Sequence, residues 1–105
     1  MNTIDFKNKA ENDIKNCLYC MKSQAMTLEL ANDIFQVARN LIEELRADFM
    51  SSPSVEQAEK KESLYNVRLF YLSAEALRNA MRGISNASLE LFGFTLEEYY
   101  NMEEA

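Results

Sequence analysis

An all-α fold, a bundle of three long helices with a short helical C-terminal tail, is what three features of this sequence predict. Only two glycines and one proline occur in 105 residues. Their scarcity, together with β-branched residues that are scattered rather than run together, favours helix over sheet along the whole length. Apolar residues also recur at helical spacing through most of the chain. A hydrophobic content of 48% is enough to build a core at this length. The expectation is a single domain over 1–105, with three long helices in 1–82 and an acidic, aromatic tail in 83–105.

Taken in order, the first helix opens with Thr3 as N-cap. It carries Phe6, Ala10, Ile14, Cys17, Leu18, Met21 and Ala25 on one narrow face and runs to about Lys22. Such a stripe suits an outer helix lying on other elements. Thr27 either caps a second helix or marks a bend in the first. In that second stretch Leu30, Ala31, Ile34, Phe35, Val37, Ala38, Leu41, Ile42, Leu45 and Phe49 span an arc of about 180°. Ser52 as N-cap, with Pro53 at the first helical position, starts the third helix.

The stretch from Leu64 to Ala80 organises the rest. Its apolar residues cover roughly 260° of the helix girth, against the ~100° stripe of an ordinary surface helix, so other protein must surround it. Gly83 is the expected left-handed end of this helix, with Ile84 folding back on the last turn. Beyond it, Ser85 or Asn86 starts a short helix ending at Gly93, and Thr95-Leu96-Glu97-Glu98 has the form of a capping box that opens another.

Seventeen acidic and eleven basic residues leave a net charge of −6, which argues against binding nucleic-acid phosphates or an anionic membrane surface. The segment 83–105 holds five acids and no base. No basic patch followed by an apolar run opens the chain, and no window approaches ~18 uninterrupted apolar residues, so neither a secretory leader nor a membrane span is expected. The expected location is the cytoplasm.

The absence of histidine removes Ser-His-Asp and Cys-His catalysis, His-ligated zinc and carboxylate-histidine di-iron chemistry. Gly83 and Gly93 are too far apart to form a phosphate loop. No catalytic residue, cofactor or metal ligand is assigned, and the chain is not expected to be an enzyme.

Three constellations remain. Cys17-Leu18-Tyr19-Cys20 has the spacing of a redox dithiol or half a zinc site. It lies some three turns inside a helix, away from the helix N-terminus that lowers a thiol pKa, and one chain offers no further Cys or His, so buried or half-buried free thiols are the expectation. Glu43, Glu44 and Asp48 face Glu56, Glu59 and Glu62 across the Ser-Pro turn, partly neutralised by Arg46, Lys60 and Lys61. The tail interleaves Phe92, Phe94, Leu96, Tyr99, Tyr100 and Met102 with acids, and reads either as a lid on the third helix or as a segment that docks on a basic partner.

These point to a small acidic, non-enzymatic regulator or inhibitor that binds a protein partner, such as a basic nucleic-acid-binding enzyme, through Glu43, Glu44, Asp48, Glu97, Glu98, Tyr99 and Tyr100. The alternative is a self-associating assembly subunit or adaptor. The excess apolar arc of the third helix further predicts a homodimer, with Phe70, Ala74, Leu77 and Met81 at its two-fold interface.

Overall fold

The computed structural model describes residues 2–102, which are all-α with no strand among them. Four helices follow in order: α1 (Thr3–Ser23), α2 (Leu28–Ser51), α3 (Ser54–Phe92) and α4 (Leu96–Asn101). The end of the expected tail, Glu103 to Ala105, lies outside the described residues.

Local chemistry sets each boundary. Asn2 rather than Thr3 caps α1, its side-chain oxygen accepting the Asp5 N–H at 2.8 Å; the two residue types cap comparably well, so one position upstream is a small shift. At the other end the Ala25 N–H reaches the Lys22 carbonyl and the Met26 N–H the Met21 carbonyl, both at 3.0 Å. This pair of bonds is a Schellman motif, and it puts Ala25 in the left-handed region at φ 53°. The chain therefore stops α1 and restarts at Leu28, immediately after Thr27.

Between α2 and α3 the serines act differently from expectation. Ser51 and Ser52 hydroxyls donate to the Asp48 carbonyl at 3.0 and 2.7 Å, and the Gln57 amide donates to the Phe49 carbonyl at 3.0 Å. Ser52 thus completes the orphan carbonyls of α2 instead of capping α3. The first α3 bond runs from the Gln57 N–H to the Pro53 carbonyl at 2.9 Å, which moves Pro53 back to the N-cap position.

Gly83 does not end the third helix. It is an exposed interior residue of α3, and the left-handed glycine is Gly93 at φ 81°. A mid-helix glycine costs about 0.5–1 kcal/mol relative to alanine. The helix runs through it because Met81, Ser85 and Ser88 beyond and around it are buried at a continuing four- and three-residue spacing. One short helix, not two, therefore follows the three long ones.

The chain divides into two compact units, Glu29–Ala80 and Met1–Leu28 with Met81–Ala105. In the first, α2 buries Ala31, Phe35, Ala38 and Ile42 at spacings of four, three and four, and the first part of α3 buries Ala74. Phe35 meets the Tyr71 ring at 5.6 Å between centroids, and the Arg78 guanidinium stacks on Phe35 at 3.8 Å. In the second, Leu18 of α1, Met81 of α3 and Leu96 of α4 are each no more than 2% exposed. The three long helices do not share one unit: α1 and α2 fall in different ones.

Ala25 lets the α1 cap be tested. Glycine adopts its conformation without the Cβ penalty, so Ala25→Gly should raise stability by about 0.5–1 kcal/mol after the entropy of the unfolded chain is counted. Urea denaturation compared with wild type measures it, and an unchanged or lowered midpoint would refute the strain.

Candidate functional site

The acidic corner lies within the Glu29–Ala80 unit, where one lysine gathers it. Lys60 donates to Asp48 Oδ2 at 2.7 Å and to Ser52 Oγ at 2.9 Å, and its Nζ lies 3.9 Å from Glu56 Oε2. Asp48 carries a charge that the negative end of α2 disfavours, and Lys60, one turn and a half into α3, neutralises it. Leu45, Phe49, Lys60 and Leu64 line a small pocket of about 130 Å³ at this corner. The hydrogen bond to Asp48 raises the Lys60 pKa above its usual value, desolvation opposing it. Glu43 is spent in an i,i+4 pair with Arg39 at 3.3 Å, while its neighbour Glu44 stands exposed on another side of α2.

A raised lysine pKa sets the direction of a pH effect. The stabilisation is fully present below the unfolded lysine value of about 10.4 and is lost as pH rises through the higher folded value. The stability difference between wild type and Lys60→Met should therefore hold constant from pH 6 to 9 and shrink above about pH 10.5. Urea unfolding across that range measures it, and a difference that grows with pH would be the wrong sign.

The tail belongs to the other unit and is used internally. Ser88, fully buried, donates its hydroxyl to the Phe94 carbonyl at 2.8 Å, and Ser85 Oγ accepts the Leu96 N–H at 3.0 Å. The Thr95–Glu98 capping box forms in both directions. Phe92, Phe94 and Tyr99 stack in series with centroids 5.6 Å apart, and Lys15 and Lys22 sit over Phe92 and Tyr99 at 5.1 and 5.4 Å. The Tyr100 hydroxyl donates to the Met26 carbonyl, and burial holds its pKa above the usual phenol value. Tyr99 and Tyr100 are half-buried in this arrangement; Glu97 is exposed, and Glu98 is exposed but engaged in the cap. These contacts join the tail to α1, to Met26 just after it and to Ser85 and Ser88, rather than to the 54–82 stretch that a lid on the third helix was expected to cover.

Those two serine hydroxyls fasten α4. Ser88→Ala leaves the Phe94 carbonyl without its donor and should cost about 1–3 kcal/mol. Faster amide exchange confined to residues 94–102 would locate the loss there; uniform exchange along the chain would contradict it.

Cys17 and Cys20 are both free and both exposed, which corrects the expectation of buried or half-buried thiols. At this level of α1 the inward position belongs to Leu18, at 1% exposure. Cys17 instead edges an apolar groove of about 380 Å³ with Ile14, Leu18, Met21, Ile84 and Ala87. No cluster of three or more Cys, Asp or Glu suited to a metal ion occurs among the described residues. No helix among them is long and apolar enough to cross a membrane.

The four residues expected at a dimer interface are placed unevenly. Ala74 and Met81 are 4% and 2% exposed within the single chain and Leu77 is half-buried, so Phe70 alone, at 48%, stands free. Two other stripes, both counted from sequence within apolar arcs that other elements would cover, stand outward. On α2, Leu30, Val37 and Leu41 are 51%, 63% and 37% exposed. They fall within about 40° of one another, with Asp33, Glu44 and Asp48 within about 60° of Leu30 on the same side. On α3, Tyr65, Leu69 and Leu72 are 60%, 46% and 47% exposed, and Ala76 continues their spacing of four, three and four.

No family model matches this chain, and no curated protein or solved structure does so either.

Proposed function

We propose that this protein is a small acidic, non-enzymatic regulator or inhibitor that works by binding a protein partner. One observation supports this reading above the others: the outward face of α2, where Leu30, Val37 and Leu41 stand exposed beside Asp33, Glu44 and Asp48. An apolar stripe with an acidic margin is complementary to an apolar groove with a basic rim, and a nucleic-acid-binding enzyme presents such a rim. Asp48 is paired with Lys60 and keeps 57% of its side chain exposed, so Asp33 and Glu44 carry the uncompensated charge of this margin and Asp48 adds an accessible acceptor. Glu97 and Glu98 add acidic surface on α4. Two exposed free thiols suit a reducing compartment, and we place the protein in the cytoplasm on that account.

The test is capture of the partner with tagged protein from native lysate, repeated with Val37→Glu and across a salt series. Val37 is exposed, so its substitution should leave helix content intact by circular dichroism while weakening capture at least about tenfold. Affinity should fall steeply between 50 and 500 mM salt. Capture indifferent to Val37→Glu would remove the α2 face from the proposal, and affinity flat in salt would remove the basic partner.

A further inference from the structure

We infer that α3 carries a separate, self-complementary face on which a second copy of this chain docks antiparallel across a two-fold axis. The face is the Tyr65, Leu69, Leu72 and Ala76 stripe, about 150° around α3 from the buried Ala74 side. Its spacing of four, three and four is that of a helix-on-helix seam, so the occupant is another helix.

Two features of the stripe identify that helix as its own copy. With the axis between Leu69 and Leu72, Leu69 of one chain lies opposite Leu72 of the other, and bulky Tyr65 lies opposite small Ala76. A parallel pairing would set tyrosine against tyrosine and alanine against alanine, leaving both a clash and a void. Charge gives the same answer. Arg68 and Glu75 flank one side of the stripe, and neither has an ion-pair partner among the described residues. Antiparallel docking brings Arg68 of each chain beside Glu75 of the other, twice per dimer, whereas parallel docking puts these flanks of the two chains on opposite sides of the seam, where they do not meet. This face is distinct from the α2 face proposed for a protein partner, and neither proposal rests on the other.

Sedimentation or light scattering of the full chain at about 100 μM should report a dimer, and Leu72→Glu should raise the dissociation constant about a hundredfold or more while circular dichroism stays unchanged. Arg68→Glu and Glu75→Arg should each weaken the homodimer about tenfold, because each places like charges across the axis. Mixed together, those two variants should form a heterodimer, since one then presents two acids to two bases on the other. A monomeric wild type overturns the inference, as does a dimer that Leu72→Glu leaves intact. A mixture that yields no heterodimer overturns the antiparallel register. Because none of these measurements uses the heterologous partner, their failure leaves the α2 reading untouched, and a failed capture leaves this one untouched.

Discussion

The fold depends on one repeat along α3. Gln57, Lys60, Leu64, Val67, Tyr71, Ala74, Arg78, Met81, Ser85, Ser88 and Phe92 alternate steps of three and four, and every one of them is buried or half-buried. Such spacing keeps one face of a long helix turned toward its neighbours. What is unusual is the chemistry at those positions. Several are polar, and the buried residues on α2 and α3 in the Glu29–Ala80 unit are Ala31, Ala38 and Ala74 with Phe35 and Ile42. Small residues allow helices to approach closely, but each removes little apolar area from water.

Few large apolar side chains are consequently enclosed in that unit, Phe35 and Ile42 alone among its described residues. Leu30, Val37, Leu41, Tyr65, Leu69, Phe70 and Leu72 all stand outward in one unit of the chain. Scattered apolar residues on a surface need no explanation, but these fall in stripes of helical spacing on two sides. The inversion of size, small residues within and large ones without, ties the packing to the interaction surfaces proposed for α2 and α3. Arg78 fits the same scheme. Its guanidinium covers Phe35 where a larger apolar residue would otherwise be needed, and its buried Nε has no hydrogen-bond partner among the described residues.

Legibility in the sequence followed the range of the interactions. The Thr95–Glu98 box, the helix end at Gly93 and the corner at Pro53 were readable to within a residue, because each is decided by side chains a few positions apart. The all-α class was readable from periodicity. The buried face of α3 was not. Hydropathy ranked Leu69 and Leu72 above Ser85 and Ser88, yet the serines are buried, since their hydroxyls meet backbone groups at the start of α4 that only the folded chain brings near. Gly83 misled for a related reason: its weak propensity was visible, and the burial that carries α3 through it was not. Ala25 misled in the opposite sense, since nothing in an alanine announces a left-handed cap.

The tail contacts also carry a consequence for the order of folding. Lys22 reaches the Met102 carbonyl across 80 positions and Tyr100 reaches Met26 across 74, whereas the α2–α3 corner closes through bonds spanning 12 or fewer. Loop-closure entropy makes distant pairings the slow ones. On a ribosome the Glu29–Ala80 hairpin is complete while α4 is still unmade, so α1 emerges first yet waits longest for its covering. Through that interval the side of α1 that carries Leu18, 1% exposed once the chain is folded, has no covering, which makes the nascent chain more open to chaperones than the finished protein.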